Sequence, residues 1–203
     1  MPELIKLTLG PLMTNCYILG KNGKALIIDP GGEPEEVEKA IKEKGWKIDC
    51  VINTHGHADH IGGNGYLKEK GAKILINPAD SEMLVDPDRN LSSFTGGEKI
   101  HGPKEDDHIK EGYWEWEGEQ FEIIHTPGHT PGGICLCLGE SLFSGDTLFA
   151  AGIGRTDLPG GNMDQLIRSI QEKLFSIDKN LQIFPGHGPE TTLDYERENN
   201  PFI

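Results

Sequence analysis

The sequence predicts an α+β fold in which β-sheets are layered against helices. Short apolar runs rich in valine, isoleucine and leucine recur between turn residues, as in KALIIDP and DCVINT, and this pattern is typical of strands. Strands come first along the chain and helical patterns are mixed among the later ones, which favours layered sheets and helices over one doubly wound parallel sheet. The length of 203 residues predicts one domain, residues 1–203.

The predicted strands are LIKLTL, CYILG, KALIIDP, DCVINT, AKILINP, FEIIHTPG, ICLCLG and SLFSGD. Helical patterns lie in EPEEVEKAIKEKG, DHIGGNGYLKEKG and NMDQLIRSIQEKLFSI, with a last turn or two near TTLDYEREN. The third has the clearest 3.6-residue period, with Leu166, Ile167, Ile170 and Leu174 on one side. Residues 78–119 are the least regular and predict a long loop or flap beside a site, although YWEWE within them is more typical of a strand with one packed face.

The charge balance excludes two classes of partner. Lysine and arginine number 19 against 33 acidic residues, a net charge of -14, and no basic run concentrates positive potential. We therefore expect neither nucleic acid nor a membrane as a partner.

The N-terminus has no basic start followed by a long apolar stretch, so no signal peptide or membrane span is expected. The four cysteines form no disulfide framework or CxxC pair, which predicts buried thiols in a reduced, cytoplasmic protein.

The stretch THGHADH places several metal-ligand side chains at the end of a predicted strand. DCVINT precedes it, and the residues between its histidines, glycine and alanine, are too small to obstruct them. Imidazole nitrogen and carboxylate oxygen suit zinc and other first-row divalent metals. On an extended turn, neighbouring side chains point to different sides and could serve two metals. The candidate ligands here are His55, His57, Asp59 and His60.

Three further candidate ligands follow later strands. His129 lies in TPGHTPGG, Asp146 ends SLFSGD, and His187 lies in IFPGHGPET. Because side chains past the carboxyl ends of parallel strands meet at one sheet edge, these positions and THGHADH predict a shared metal centre. Three other histidines are expected to have surface or packing roles: His101, His108 and His125.

These motifs resemble the metallo-beta-lactamase superfamily, and within it the glyoxalase II-like hydrolases. The resemblance covers nearly the whole chain: NCYIL, IIDPGG, THGHADHIGG, TPGHTPGG, SGDTLF, GIGRTDLPGG, PGHGPETT and NNPF. It implies a four-layer αββα sandwich with the metals at the sheet edge. It also implies two divalent metal ions, zinc first, with iron or manganese as alternatives.

The resemblance implies the following ligand sets. One metal would be bound by His55, His57 and His129, the second by Asp59, His60 and His187, with Asp146 as the bridge. Because the best-known two-zinc lactam hydrolases of the superfamily carry a cysteine where this chain has Asp146, lactam hydrolysis is not expected.

The expected activity is hydrolysis of a small-molecule thioester such as S-D-lactoylglutathione. A metal-bridging hydroxide would attack the thioester carbonyl, Asp59 would orient that hydroxide, and the thiolate would leave without a strong general acid. Neither Ser144 nor Cys135 lies in a GxSxG-type elbow, so neither is expected to be a nucleophile. Arg155 matches the basic residue with which the family holds glutathione, although pairing with Asp157 is an equally good role.

The aromatic residues that the family carries beside that arginine and after the last histidine are absent here: Thr156, Asp157, Gly188 and Pro189 take these positions. Thioester hydrolysis is therefore a firmer expectation than glutathione specificity. The alternatives are a metal-dependent hydrolase of another small ester or thioester, a non-catalytic binding module, and a mononuclear iron persulfide dioxygenase. GIGRTD favours the dioxygenase, whose iron ligands would be His55, His129 and Asp146.

Overall fold

A computed structural model describes all residues, 1–203. The chain divides into two compact units, Met1–Ile109 and Lys110–Ile203. Each unit contains one six-stranded sheet, and the second also contains a two-stranded sheet. The prediction of a single domain stays a prediction.

The first unit is built on a mixed sheet with the strand order β1-β2-β3-β4-β5-β6. Its strands are β1 (Glu3–Leu9), β2 (Thr14–Lys21), β3 (Lys24–Ile28), β4 (Lys47–Ile52), β5 (Lys73–Ile76) and β6 (Asp107–His108). The strands from β1 to β3 pair antiparallel, and those from β3 to β6 pair parallel. Its helices are α1 (Pro34–Glu43), α2 (Ala58–Ile61) and α3 (Asn64–Glu69).

Helices α1 and α3 bury their apolar sides against this sheet. Val37 and Ile41, one turn apart on α1, and Leu67 of α3 belong to the same core cluster as Ile27 and Val51 of the central strands. Helix α1 begins with a proline. Proline has no backbone N–H, but the N–H groups of the first turn have no partner within the helix, so no helical hydrogen bond is lost. Strand β3 from Ala25 onward and the second half of β4 are continuous apolar runs in which every residue is buried, as is typical of strands covered on both faces.

The second unit contains a sheet with the order β14-β13-β10-β9-β8-β7, in which only β10 and β13 pair parallel. Its strands are β7 (Gly112–Trp116), β8 (Glu119–His125), β9 (Ile134–Leu138), β10 (Ser141–Gly145), β13 (Gln182–Pro185) and β14 (Thr191–Thr192). Strands β11 (Leu148–Phe149) and β12 (Gly152–Ile153) form a small antiparallel hairpin. Helix α4 (Met163–Ser169) continues as a π-helical turn (Ile170–Leu174), and α5 (Leu193–Asn199) follows β14.

Every predicted strand is present, and each predicted helical segment contains a helix. The second helical segment is split into α2 and α3 at Gly62 and Gly63. In the third segment, Leu166, Ile170 and Leu174 enter the core, whereas Ile167 is half-buried.

Residues 78–119 are irregular only in part. They begin with a 3₁₀ helix (Pro78–Leu84), contain a second one (Ser92–Phe94), and end with β6 and β7. YWEWE lies in β7, with Trp116 buried and Tyr113 exposed, as the strand interpretation predicted.

No helix in the structure has both the length and the apolar character needed to cross a membrane. Three of the four cysteines are buried, and Cys137 is half-buried. Burial raises the pKa of the Cys16 thiol well above its usual value, with Asp29 adding to the effect, and burial raises the pKa of Cys135 to about 11. A thiol with a raised pKa is a poor nucleophile, which agrees with the expectation for Cys135.

Candidate metal centre

The THGHADH motif forms a buried turn directly after β4. Residues 53–57 are all buried, and His57 has an extended backbone (φ -71°, ψ 148°) at the start of α2. Asp59 and His60 lie on a short helix, as the helical pattern that begins at Asp59 predicted, so the expected extended turn reaches only as far as His57. The backbone N–H of His60 donates to the His57 carbonyl (2.9 Å), which closes the first turn of that helix.

The side chains of this turn gather into a cluster in the first unit. The ring centroid of His55 lies 4.8 Å from that of His57 and 4.1 Å from that of His60. His60 Nε2 is 3.5 Å from Asp59 Oδ2. Two ligands that each bind one ion at about 2.1 Å with tetrahedral angles lie about 3.4 Å apart. The spacing of the His60 and Asp59 atoms therefore fits two ligands of one ion.

Asp29 controls the orientation of this cluster, and the sequence analysis did not single it out. His60 Nδ1 donates to Asp29 Oδ2 (2.9 Å), and the Thr54 hydroxyl donates to the same oxygen (2.6 Å). Because that hydroxyl proton is committed to Asp29, its oxygen accepts from His55 Nδ1 (3.2 Å). The protons of both imidazoles are thereby fixed on Nδ1, which leaves Nε2 as the ligand atom.

Glycines allow the loop that carries Asp29 to approach α2 closely. A Cβ at Gly31 would overlap the Asp59 carbonyl, and one at Gly62 would overlap the Gly31 carbonyl. The Gly63 N–H donates to the Pro30 carbonyl (2.6 Å), which fixes the approach. The glycines of IIDPGG and HIGG therefore bring Asp29 within reach of His60.

The segment after β5 supports the same turn from another side. The buried Asp80 accepts a hydrogen bond from the Gly56 N–H (3.1 Å), and Met83 packs where a Cβ of Gly56 would lie. The Ala58 N–H donates to the Asn90 carbonyl (2.9 Å). The segment predicted to be a flap therefore contributes fixed hydrogen bonds to the ligand-bearing turn.

A second cluster lies in the second unit. His129 follows β8, Asp146 follows β10, and His187 follows β13. Asp146 Oδ2 lies 3.6 Å from His129 Nε2 and 3.6 Å from His187 Nε2. These spacings are also close to the separation of two ligands of one ion, and the equal distances suit a carboxylate oxygen that bridges two ions.

His129 is held by the loop that follows Asp146. Its Nδ1 donates to the Arg155 carbonyl (2.7 Å), which again leaves Nε2 as the ligand atom. On its other side, Gly128 has φ 138° and packs against the backbone of Leu166, so that a Cβ there would overlap α4. The Asn162 N–H donates to the Gly128 carbonyl (2.7 Å), which ties the His129 loop to the start of α4.

The Arg155 side chain is engaged elsewhere. Its Nε and one terminal nitrogen donate to the two carboxylate oxygens of Asp157, each at 2.8 Å. These hydrogen bonds lower the pKa of Asp157 to about 2. The pairing role considered for Arg155 is thus present in the structure.

The structure brings the predicted ligands together as two clusters, one in each unit: His55, His57, Asp59 and His60 in the first, and His129, Asp146 and His187 in the second. Two of the three histidines not expected to be ligands have other partners. His108 Nε2 lies near Glu105 and Ser81, and His125 donates to the Pro131 carbonyl (2.9 Å). The Ser144 hydroxyl donates to the Leu148 carbonyl (2.7 Å).

The sequence prediction missed two carboxylates that support the ligand-bearing turn, Asp29 and Asp80, although the motif IIDPGG gave a signal for Asp29. Asp29 ends a strand, as Asp146 does. Asp80 lies in the segment predicted to be irregular, where no local pattern marks it.

The donor atoms of both clusters suit the same metals. Imidazole nitrogen with carboxylate oxygen, without thiolate, is typical of sites for zinc, iron and manganese. Histidine Nδ1 atoms held by carboxylate or carbonyl oxygen are the usual surroundings of metal-binding imidazoles. The residues therefore fit divalent metal ions.

Comparison with known proteins supports this chemistry. The family model described as the metallo-beta-lactamase superfamily matches residues 9–187. The "Probable metallo-hydrolase YqgX" of Bacillus subtilis is 37% identical over 203 residues, covering 98% of this chain and 96% of the relative. The "Hydroxyacylglutathione hydrolase GloC" of Haemophilus influenzae is 36% identical over 212 residues, covering 99% and 97%.

Two solved structures are similar over their full length. The crystal structure of "BLEG-1 B3 metallo-beta-lactamase" has a TM-score of 0.92 and 34% identity, covering 98% of this chain and 99% of that chain. The crystal structure of "TTHA1623 in a di-iron-bound form" has a TM-score of 0.88 and 33% identity, covering 98% and 100%. The predicted fold class, α+β of the metallo-beta-lactamase type, is confirmed.

We expect Asp29→Asn to weaken metal binding by about 10- to 100-fold, the usual effect of losing a partner of a metal-binding histidine. An amide nitrogen in place of Oδ2 would face two donors, so His60 would lose the acceptor that holds its proton on Nδ1. The measurement is Zn²⁺ affinity by chelator competition. Asp49→Asn, the same change at a partly exposed residue paired with Lys24, is the control. Equal affinities in the two variants would contradict the role of Asp29.

We expect Gly128→Ala to destabilise the protein by about 3 kcal/mol, at the upper end for overpacking, because the new Cβ meets the backbone of α4 and φ is unfavourable. The measurement is the free energy of unfolding in denaturant. Gly97→Ala is the control, since a Cβ there has only the Thr95 hydroxyl within 4 Å, at 3.9 Å. If both alanine variants are as stable as the parent, the close approach of Gly128 to α4 is wrong.

Proposed function

The chain belongs to the metallo-beta-lactamase superfamily, and on this premise we propose that it hydrolyses a small-molecule thioester at a two-metal centre. The family and its metallo-hydrolase relatives support a metal-dependent hydrolase. The relative named hydroxyacylglutathione hydrolase supports a thioester such as S-D-lactoylglutathione as the substrate. We further propose that the protein acts in the cytoplasm on this small molecule, without nucleic acid or membrane as a partner.

The proposed ligand sets are those suggested by the sequence. His55, His57 and His129 would bind one ion, and Asp59, His60 and His187 the other. Asp146 would bind both. The single observation that carries this proposal is the equal 3.6 Å distance from Asp146 Oδ2 to His129 Nε2 and His187 Nε2. We propose zinc as the metal, with iron and manganese as alternatives; a solved relative is described in a di-iron-bound form.

Two divalent ions, when bound, lower the pKa of a shared water from its high bulk value towards about 7 and so supply the nucleophile for hydrolysis at neutral pH. Asp59 would orient that water, and its Oδ2 accepts a hydrogen bond from the Thr14 hydroxyl (3.2 Å), which limits its rotation. The imidazoles whose protons are held on Nδ1, those of His55, His60 and His129, would keep their Nε2 lone pairs for binding.

The leaving group decides between thioesters and amides. The thiol of a thioester has a pKa of about 8.5 and leaves as a thiolate without protonation, whereas the amine of an amide requires a general acid. Neither Ser144 nor Cys135 is available as a nucleophile, because the Ser144 hydroxyl donates to a backbone carbonyl and Cys135 is buried. These features favour thioester hydrolysis.

Two other activities have a specific observation in their favour. The similar structure named a B3 metallo-beta-lactamase brings lactam hydrolysis back as a candidate, against the expectation drawn from Asp146. The GIGRTD motif favours persulfide oxidation at one iron. In both cases the candidate residues are among those proposed for the hydrolase, so substrate assays must decide.

The first test is to purify the protein without added metal, quantify bound metals, and assay S-D-lactoylglutathione in the same preparation. We expect about two metal equivalents per chain, as in two-metal hydrolases, and thioester turnover. One iron with oxygen consumption on glutathione persulfide would replace the proposal with the dioxygenase. Turnover of a lactam but no thioester would replace it with lactam hydrolysis.

We expect His55→Ala to lose metal and nearly all thioester turnover. One ion would lose the Nε2 of His55 as a ligand, and a water molecule cannot replace that nitrogen with the same geometry. Metal content and turnover are measured on the same sample. His101→Ala, at an exposed histidine outside both clusters, should match the parent. Retention of metal and turnover in the His55 variant would refute the assignment.

Arg155 is our proposed substrate-binding residue, and its pairing partner offers a test of glutathione recognition. Because the pKa of Asp157 is held at about 2, the carboxylate stays ionised and engages Arg155 throughout the usual assay range. Asp157→Asn should release the guanidinium for a substrate carboxylate. We expect the KM for S-D-lactoylglutathione to fall about two- to fivefold, as suits an exposed ion pair.

The matched substrate for this test is a thioester of N-acetylcysteamine, which has no carboxylate, and its KM should not change. Arg155→Ala should raise the KM for the glutathione thioester only. If neither variant changes that KM, Arg155 has a structural role alone.

A further inference from the structure

The last helix contains a buried carboxylate that none of the proposed ligand sets uses. Glu196 of α5 is 1% exposed, although its neighbours Tyr195 and Glu198 are exposed. It accepts hydrogen bonds from the Thr191 hydroxyl (2.6 Å), the Ala151 N–H (3.0 Å) and the Asn200 amide (2.8 Å). A buried carboxylate is costly unless it is fully hydrogen-bonded, so these three donors make Glu196 a fixed point.

The donors to Glu196 belong to segments that carry candidate ligands. Ala151 is at the turn of the β11–β12 hairpin and has a left-handed backbone (φ 53°), which is unfavourable for alanine without external support. Asn200 holds the same turn, since its amide also donates to the Gly152 carbonyl (3.1 Å). Thr191 lies in β14, four residues after His187. Glu196 and Asn200 together therefore hold the hairpin to the end of the chain.

The hairpin and the two residues after it contact all three ligand positions of the second unit. The hairpin begins two residues after Asp146, and Gly154, directly after its end, packs against the Asp146 carbonyl so closely that a Cβ would overlap it. The next residue, Arg155, accepts the hydrogen bond from His129 Nδ1 through its carbonyl (2.7 Å). The ring of Phe149 meets the ring of His187 edge-on, with centroids 6.2 Å apart.

We propose that Glu196 and Asn200 are positioning residues of the metal centre, which set the orientation of His129 and His187 through the β11–β12 hairpin. This role also gives a function to the second asparagine of NNPF, which is Asn200 and directly follows α5. The inference rests on the proposed metal centre.

The test compares Zn²⁺ affinity, by chelator competition, and the visible absorption spectrum of the Co²⁺-loaded protein. Glu196→Gln keeps the shape of the side chain but places an amide nitrogen where donors point. We expect it to weaken binding of at least one Zn²⁺ by about tenfold, the lower end of the effect of losing a direct partner of a ligand, and to change the Co²⁺ spectrum. Asn200→Ala should act in the same direction.

Two controls separate positioning from general stability. Glu198→Gln makes the same chemical change at an exposed residue of the same helix and should behave like the parent. Thr192→Ala removes the hydroxyl that caps α5 by accepting from the Tyr195 N–H (3.4 Å), so it should lower the thermal midpoint without changing Zn²⁺ affinity.

The outcomes separate the two proposals. If the parent protein binds no metal, the proposed function fails. If the parent binds two ions and Glu196→Gln binds them equally well with an unchanged Co²⁺ spectrum, the positioning role is refuted and the hydrolase proposal stands. If Thr192→Ala weakens Zn²⁺ binding as much as Glu196→Gln does, the effect is one of helix stability and the positioning role is again refuted.

Discussion

A histidine binds a metal only through a nitrogen whose lone pair is available, so its proton must be held on the other nitrogen. In this chain the requirement is met by oxygen acceptors that are themselves fixed. Asp29 accepts from His60 directly and restrains His55 through the Thr54 hydroxyl, while the Arg155 carbonyl accepts from His129. The loops around both clusters hold these acceptor oxygens in position. The close-packed glycines and the backbone hydrogen bonds of the loops serve the same purpose.

Glycine lets the segments that carry the acceptor oxygens lie close enough to the ligand loops, because it has no side chain to keep the two backbones apart. Gly31 lies against the Asp59 carbonyl and Gly154 against the Asp146 carbonyl, and in both places a side chain would force the segments apart. Gly128 combines a close approach with a backbone conformation that other residues rarely adopt. The glycines next to the ligands in the sequence motifs are therefore part of the site, although they have no side-chain chemistry.

Much of this arrangement could be predicted from the sequence, because strand ends and ligand-type residues are local signals. The apolar runs located the strands, and the spacing in THGHADH located one cluster. Asp80 and Glu196 could not be found in this way, since a buried carboxylate is recognised by its donors, and some of these lie far away in sequence: Gly56 for Asp80 and Ala151 for Glu196. The extended turn expected for Asp59 and His60 was wrong because the helical pattern of DHIGGNGYLKEKG already begins at Asp59, and the four residues of α2 are too few to show a period by themselves.

The two kinds of acceptor have a chemical consequence for the proposed centre. A carboxylate acceptor makes an imidazole a stronger donor to a metal than a carbonyl acceptor does. His60, held by Asp29, and the anionic Asp59 would therefore reduce the positive charge at their ion more than the neutral His55, His57 and His129 would at theirs. With the proposed ligand sets, the ion held by three neutral histidines would keep the stronger pull on a carbonyl oxygen. The residues would thus favour substrate polarisation at that ion, and would leave orientation of the water to the set that contains Asp59.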